Sequence, residues 1–222
     1  MIEELLPPQV ELAESFGDAA MDTMFQEEAL AVAGSADGRR REFATVRDCA
    51  RQALGRLGVP PAPILPGPHG APQWPAAIVG SMTHCTGYRA AAVARSTDLA
   101  SIGLDAECNK PLPNDGVLAQ VVRPEERDQL AVLAARRPDV CWDRLFFSAK
   151  ESVYKAWYPL TGRWLSFHEA TLTMDPRGGT FTARLLVPGP FVAGTRVAGF
   201  QGGWLARDGL LVTAITVRRT AN

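Results

Sequence analysis

The chain has 222 residues, 46% of them hydrophobic, which is enough to bury one large core or the cores of two small halves. Its net charge of −1 provides no overall field for nucleic acid, so any anion site must be local. The four cysteines are scattered without a C-x-x-C pair, which favours reduced cytosolic thiols over disulfides or a zinc site. The acidic N-terminus lacks signal-peptide features, and no apolar run reaches the about 18 residues of a membrane helix. We therefore expect a cytoplasmic protein without a membrane or nucleic-acid partner.

The first hundred residues predict a strand, a long helical region and two further strands. Apolar residues recur at helical spacing up to Gly58, and Pro60 and Pro61 follow the break. A loop rich in proline and glycine comes next, and its apolar residues suggest that it packs on the surface. In chain order, the predicted elements are a strand at Val10–Phe16, a helical region at Phe25–Leu57, the loop at 60–75, and strands at Ala76–Ser81 and Arg89–Arg95 around a turn at Met82–Gly87.

The second half predicts one dominant helix surrounded by shorter elements. The predicted elements are a strand at Ser101–Glu107, a loop at Lys110–Gly116, a short helix at Val117–Val122, another helix from near Pro124, the dominant helix at Cys141–Tyr158, and strands at 167–174, 180–187, 195–206 and 209–217. Because each half holds a major helix and several strands, the pattern indicates an α+β fold. No clean sequence repeat proves duplication.

The first candidate for chemistry is the segment Gly103-Leu104-Asp105-Ala106-Glu107. On a strand, Asp105 and Glu107 share one face, while Leu104 points to the other. Neighbouring carboxylates repel each other unless solvent, a proton or a cation lies between them, and hard oxygen ligands suit Mg²⁺. When D-x-E is read alone, a solvated strand face is the better explanation.

The dominant helix carries the second candidate. Its predicted apolar stripe consists of Trp142, Leu145, Phe146, Ala149, Val153, Ala156 and Trp157. Ser148, Glu151 and Lys155 are predicted to lie together on the opposite side. Glu151 and Lys155 also have the spacing of an ordinary surface ion pair, which is the better explanation when this segment is read alone.

Together, the two segments resemble the signature motifs of Sfp-like 4′-phosphopantetheinyl transferases of actinobacterial type. The Gly-x-Asp-x-Glu motif is followed about forty residues later by Phe147, Lys150, Glu151, Ser152 and Lys155. The Val79–Cys85 segment, the arginine-rich helix and the His69–Pro72 loop also occur in family order. The resemblance implies two pseudo-symmetric α+β halves, 1–106 and 107–222, forming one compact structural unit with the active site in the cleft between them.

The resemblance implies transfer of 4′-phosphopantetheine from coenzyme A to a serine of an apo carrier protein, with release of adenosine 3′,5′-bisphosphate. Asp105, Glu107 and Glu151 would hold Mg²⁺, for which Mn²⁺ could substitute. Glu151 would also take the serine proton, directly or through water. Lys155 would neutralise charge on the pyrophosphate oxygens.

The resemblance also assigns residues to coenzyme A. Thr83 and His84 would contact a phosphate, and backbone groups of Gly70, Ala71 and Pro72 would cradle adenine. Arg39 and Arg47 would bind the 3′-phosphate, with Arg40 as a rival because it aligns better with Arg47 on a helix. Lys150 would bind phosphate or carrier protein. Relatives often have lysine in the adenine loop, where this chain has Pro66 and His69.

The predicted partners are coenzyme A and apo acyl or peptidyl carrier proteins of fatty-acid, polyketide or nonribosomal peptide synthesis. Lys110–Arg127 is a candidate carrier-docking region, although a packed connector fits equally well. We expect a monomer. The alternatives are a non-catalytic coenzyme A- or carrier-binding protein of the same fold, or another Mg²⁺-dependent phosphotransferase. The absence of a G-x-x-x-x-G-K-[ST] segment argues against a P-loop enzyme.

Overall fold

A computed structural model describes residues 1–19 and 21–219. The chain divides into two compact units. The first unit comprises Pro7–Leu99, and the second comprises Met1–Leu6 together with Ala100–Asn222. Within the described residues, no helix is long and apolar enough to cross a membrane. All four cysteines are free thiols, as predicted.

The first unit packs one long helix on a three-stranded antiparallel sheet. Its elements are β1 Glu11–Ser15, α1 Gln26–Ala31, α2 Asp37–Arg56, β2 Ile78–Cys85 and β3 Tyr88–Arg95. The sheet order is β1-β3-β2. Alanines fill much of β3 and are fully buried, so α2 lies close against β3 and β1. The predicted strand at Val10–Phe16 is confirmed.

Two boundaries in the first unit differ from the sequence-based prediction. The helical region at 25–57 is two helices, because the chain leaves helical geometry between α1 and α2. The turn predicted at Met82–Gly87 is wrong, since β2 continues to Cys85 and pairs residue by residue with β3. Only Thr86 and Gly87 make the turn, and the positive φ of 79° at Gly87 is one that glycine adopts without a steric penalty.

The second unit packs another long helix on a five-stranded sheet. Its elements are β4 Leu99–Cys108, which begins at the last residue of the first unit, α3 Asp115–Val121, α4 Pro124–Arg136, α5 Trp142–Thr161, β5 Ala170–Asp175, β6 Thr180–Leu185, β7 Phe191–Val192, β8 Thr195–Arg196, β9 Gly199–Arg207 and β10 Leu210–Arg218. The five-stranded order is β4-β10-β9-β6-β5, and β7 pairs separately with β8. The domain boundary expected after residue 106 falls inside β4, whereas the compact units divide at residue 99.

Helix α5 is organised as its apolar periodicity predicts. All seven residues of the predicted stripe are buried in the core of the second unit. The helix passes through Pro159 and ends at Gly162, whose φ of 63° forms a left-handed cap. The placement of Ser148 on the outer side was wrong. Its hydroxyl is buried and lies 3.0 Å from Oγ1 of Thr213 on β10, which also contacts the Ser152 hydroxyl at 2.6 Å.

A glycine in the first motif sets the distance between β4 and α5. A Cβ atom on Gly103 would lie 2.0 Å from the carbonyl oxygen of Ser152 and 2.8 Å from the backbone nitrogen of Ala156. The Ser101 hydroxyl donates to the Ala156 carbonyl at 2.8 Å and ties the same two elements. Because glycine lacks a Cβ, the strand and the helix approach at backbone distance, which brings residues 105 and 155 within reach of each other.

A buried carboxylate and cation occupy a specific position in the first unit. Glu28, in the first turn of α1, accepts hydrogen bonds from the backbone N–H of Phe25 at 3.1 Å and of Ile64 at 2.8 Å. Arg51 of α2 donates to both oxygens of Glu28, and its other terminal nitrogen donates to the Thr23 carbonyl at 2.9 Å. We call this arrangement the Glu28 staple.

The second unit repeats the arrangement with different residues. Glu126, in the first turn of α4, accepts from the backbone N–H of Arg123 at 2.7 Å and of Leu172 at 2.6 Å. Lys150 of α5 donates to Glu126 at 2.7 Å and to the Val121 carbonyl at 2.8 Å. In both units the cation binds the carbonyl two residues before the helix N-cap. This Glu126 staple, together with the shared order of strand, short helices, long helix and strands, shows that the two units repeat one plan.

Candidate active site

An ion pair between β4 and α5 is the centre of the candidate site. Nζ of Lys155 donates to Oδ1 of Asp105 at 2.7 Å. Asp105 is almost fully buried, whereas the Lys155 side chain keeps 27% of its surface exposed. Lys155 thus pairs with a residue of another element, and its charge also acts on Glu151. The two predicted motifs are therefore joined by a direct hydrogen bond between charged groups.

Glu107 lies two residues along the same strand. Its Oε2 accepts from Nη1 of Arg144 at 3.2 Å, and Arg144 also donates to the carbonyls of Lys110 and Pro111. Burial, and next the charge of Asp105, raise the pKa of Glu107 to about 7, despite the opposing field of Arg144. Sequence reasoning missed Arg144. Its position two helical turns before Glu151 was the available signal.

Glu151 completes the set of carboxylates. Burial raises its pKa, and the negative charge of Asp105 raises it further, while Lys155 opposes both effects. The electrostatic coupling places Asp105, Glu107 and Glu151 in one local environment. Among residues 1–19 and 21–219, however, no three carboxylate, histidine or cysteine side chains are arranged as a ready-made metal cage. A metal ion would have to draw these side chains together.

An aromatic neighbour of Glu151 was also missed. Tyr154 lies three residues later on α5, and its hydroxyl is buried without a hydrogen-bond partner in the part of the chain that the structure describes. Its ring is 4.8 Å from that of Trp164, which is 63% exposed. The carboxylate group thus borders an apolar surface.

Lys150, which was predicted to bind phosphate or carrier protein, does not join this group. Only 2% of the residue is exposed, and its ammonium donates to Glu126, Val121 and Phe167 in the interior. Burial lowers the pKa of Lys150, while the charge of Glu126 opposes that shift. The helical step between Lys150 and Glu151 turns one side chain inward and the other towards Asp105.

A second polar cluster lies in the first unit, around His84. Nε2 of His84 contacts Nη1 of Arg39 and lies 3.4 Å from Oε2 of Glu42. Glu42 also faces Arg39 at 3.4 Å and Arg89 at 3.7 Å, and Arg89 pairs with Asp18 at 2.8 Å. The structure thus brings together the predicted phosphate ligands His84 and Arg39, and it adds two residues that the sequence did not indicate, Glu42 and Arg89.

The predicted partner of Arg39 points elsewhere. Arg47 is only 4% exposed, its Nε donates to the Ile64 carbonyl at 2.7 Å, and its guanidinium stacks on the Phe43 ring. Burial lowers the pKa of Arg47 to about 10. The rival, Arg40, pairs with Asp37 at 3.7 Å. Arg47 therefore supports the loop after α2, although the positive charge of Arg39 also contributes to lowering its pKa.

The predicted adenine loop is a compact turn. The backbone N–H of Gly67 donates to the Ala71 carbonyl at 2.7 Å, and Pro66 and Pro72 form an isolated bridge. His69 adopts a φ of 56° within this turn. Thr83, the other predicted phosphate contact, is buried in β2 with only 2% of its surface exposed.

Comparison with known proteins decides the family. The 4′-phosphopantetheinyl transferase N-terminal domain matches residues 26–94, and the 4′-phosphopantetheinyl transferase superfamily matches residues 101–198. The chain is 62% identical to the 4′-phosphopantetheinyl transferase Svp of Streptomyces mobaraensis over its whole length and 91% of that protein. The chain belongs to the 4′-phosphopantetheinyl transferase family.

Two further 4′-phosphopantetheinyl transferases support this assignment. PptT of Mycobacterium tuberculosis is 47% identical, with 92% of this chain and 91% of the relative covered. Npt of Nocardia iowensis is 47% identical, with 97% and 99% covered. The predicted fold class, actinobacterial resemblance and transferase activity are confirmed. Membership of a 4′-phosphopantetheinyl transferase family makes coenzyme A the substrate and carrier proteins the partners, and it does not favour a non-catalytic role.

Proposed function

We propose that this enzyme transfers 4′-phosphopantetheine from coenzyme A to a serine of an apo acyl or peptidyl carrier protein in a Mg²⁺-dependent reaction. The observation that carries the proposal is the 2.7 Å contact between Lys155 and Asp105, beside Glu107 and Glu151. It places acidic oxygen ligands and a cation around one small region. Pyrophosphate chemistry requires both, since charge develops on the transferring and leaving phosphates.

The donor set fits a hard divalent cation. Asp105, Glu107 and Glu151 offer only oxygen atoms, and two of the three have raised pKa values because of burial and mutual repulsion. A cation would relieve that repulsion. Asp105, Glu107 and Glu151 would therefore hold Mg²⁺ or Mn²⁺, which when bound supplies positive charge to the pyrophosphate oxygens.

The side chains have separate roles in the transfer. The serine oxygen forms a bond to the phosphorus that carries pantetheine, and the bond from that phosphorus to the bridging oxygen breaks. Glu151 takes the serine proton, directly or through water, because burial makes it a stronger base than an exposed carboxylate. Lys155 neutralises oxygen charge, and the leaving group is adenosine 3′,5′-bisphosphate.

The cluster around His84 suits the phosphate groups of coenzyme A. His84 is 36% exposed and Arg39 is 51% exposed, so both have a solvent-accessible surface for an anion. Backbone groups of residues 70–72 are proposed to hold adenine. The buried side chain of Arg47 would act indirectly, by holding the Ile64 carbonyl before that loop. We propose a cytoplasmic monomer for the intact enzyme.

A panel of apo carrier proteins tests the proposal. The protein is incubated with coenzyme A, Mg²⁺ and carriers from fatty-acid, polyketide and nonribosomal peptide synthesis, and each carrier is weighed by mass spectrometry. We expect a mass gain of one phosphopantetheine on at least one carrier. Chelation of divalent cations should abolish the gain, and added Mg²⁺ or Mn²⁺ should restore it. No mass gain on any carrier would overturn the proposed function, and transfer that survives chelation would overturn the metal requirement.

A further inference from the structure

The ammonium of Lys150 has no hydrogen-bonding capacity left for a substrate. It carries three N–H donors. They reach the Val121 carbonyl at 2.8 Å, Glu126 at 2.7 Å and the Phe167 carbonyl at 3.0 Å. The side chain is 1% exposed. A phosphate contact would require breaking a buried ion pair and two hydrogen bonds.

The partner of Lys150 ties together segments distant in sequence. Glu126 accepts the N–H of Arg123 between α3 and α4, and the N–H of Leu172 on β5. One helical turn later, the Gln129 side chain donates to the Leu172 carbonyl at 3.0 Å and accepts from the Met174 N–H at 2.6 Å. Residues 121–126 are consequently held between β5 and helix α5.

The Glu28 staple provides a counterpart of Lys150 in the first unit. Arg51 occupies it in the first unit, with the same carbonyl and carboxylate acceptors relative to the helix N-cap. The residue after Arg51 is Gln52, whereas the residue after Lys150 is Glu151. A cation is therefore present at this position in both units, including the first unit, where Gln52 stands in place of a glutamate equivalent to Glu151.

We infer that Lys150 is a positioning residue which, through Glu126, holds the connection between α3 and α4 against the turn of α5 that carries Glu151. Its ammonium does not contact coenzyme A. The connection bears Arg123, which pairs with Glu125, and the exposed Arg127 follows in α4, where it offers a cation to an acidic carrier protein. The inference rests on the proposed function, because its effect is read in transfer to the carrier.

Three variants test this assignment. Lys150→Met leaves Glu126 buried without its cation, so the connection loosens. We expect kcat/KM for the apo carrier to fall about tenfold, with KM for coenzyme A within about twofold of wild type. The double variant Lys150→Met/Glu126→Gln removes both charges and should recover most of the loss. Lys150→Arg keeps a cation at this position, of the type found at position 51, so its kcat/KM for the apo carrier should stay close to that of the wild type. Arg137→Gln, which removes a surface cation paired with Asp139, should match wild type.

A direct contact between Lys150 and the phosphate of coenzyme A predicts the opposite results in the same measurements. If the ammonium binds phosphate, the double variant stays as impaired as Lys150→Met, and KM for coenzyme A rises in both; either result overturns the inference. Urea unfolding of each variant keeps the test decisive. If Lys150→Met does not fold, the inference requires the double variant to fold and to retain the wild-type KM for coenzyme A. If wild type transfers nothing, the proposed function fails. Recovery of the urea midpoint in the double variant would still support the charge coupling, and its absence would oppose it.

Discussion

The two units share one plan and carry opposite chemistry. The first unit gathers cations around the half-buried His84, with Arg39 and Arg89 facing Glu42. The second unit gathers carboxylates around Lys155. Cations suit the binding of phosphate, and oxygen ligands suit a divalent metal. The common part is the buried staple of glutamate and cation, and the differences lie in the residues next to it. Scaffold and chemistry are therefore separable in this fold, although they occupy adjacent positions on the same helices.

The largest expected effect distinguishes Glu151 from its counterpart Gln52. Glu151→Gln removes the proposed proton acceptor and one metal ligand without changing the size of the side chain. We expect kcat to fall about 10²–10⁴-fold. Steady-state kinetics with an apo carrier measure the loss, and urea unfolding should remain near wild type. Glu3→Gln, an exposed change near the N-terminus, is the matched control. Turnover close to wild type in Glu151→Gln would remove Glu151 from its assigned role.

The next effect concerns the staple of the first unit. Arg51→Met leaves Glu28 buried and unpaired, so the free energy of unfolding should fall by about 3–5 kcal/mol. Because Glu28 also holds the Ile64 N–H, the adenine loop should loosen and KM for coenzyme A should rise. Urea denaturation and steady-state kinetics measure the two effects.

The two staples should thus differ in kinetics, with the first acting on coenzyme A and the second on the carrier. Arg51→Met/Glu28→Gln serves as the charge-neutral control and should regain stability. An unchanged KM for coenzyme A in Arg51→Met would contradict a separate role for the first staple.

A smaller effect is expected where strand and helix touch. Gly103→Ala would place a methyl group 2.0 Å from the Ser152 carbonyl oxygen, so β4 and α5 must separate. We expect a loss of about 1–3 kcal/mol in unfolding free energy and lower kcat, since Asp105 and Lys155 move apart. In Gly55→Ala, the added Cβ meets no atom within 4 Å, and helix α2 should gain about 0.5–1 kcal/mol. Equal stability of the two variants would mean that the close approach is not maintained.

The smallest effect concerns the polar cluster around His84 in the first unit. His84→Ala removes one proposed hydrogen-bond donor to phosphate but leaves Arg39 in place. Coenzyme A affinity should weaken by about 1 kcal/mol, or about fivefold, as measured by calorimetry. His168→Ala removes a histidine of the second unit whose ring faces the Ala119 carbonyl, and it should bind coenzyme A like wild type. A His84→Ala enzyme with unaltered affinity would show that the cluster does not bind this substrate.

Periodic patterns predicted much of the fold. The apolar stripe identified α5, because burial on one face leaves a regular spacing in the sequence, and turn residues between β-like segments identified the C-terminal strands. The motif residues Asp105 and Lys155 could be paired only through a family resemblance. Their contact joins residues fifty positions apart, and no local spacing encodes it.

The failures concern polar side chains on helices. Lys150, Arg47 and Ser148 all have residue types that usually face solvent, yet each is buried with partners from another element. Helical geometry gives the direction of a side chain but does not reveal an acceptor such as Glu126 on another helix. The Lys150 partner could have been anticipated only by aligning the two staples. The glutamate and the cation are 23 residues apart in the first staple and 24 apart in the second.

Pro159 gives helix α5 a local weakness near the active site. Proline has no N–H, so it cannot donate to the carbonyl of Lys155 four residues earlier, and this turn lacks one backbone hydrogen bond. We therefore expect backbone amides in this turn to exchange faster than those in the turn that carries Glu151. The Lys155 ammonium is kept in place by Asp105 across the strand. This contact across the strand is thus the interaction that holds the lysine beside the carboxylates at the end of α5 where the backbone hydrogen bonding is incomplete.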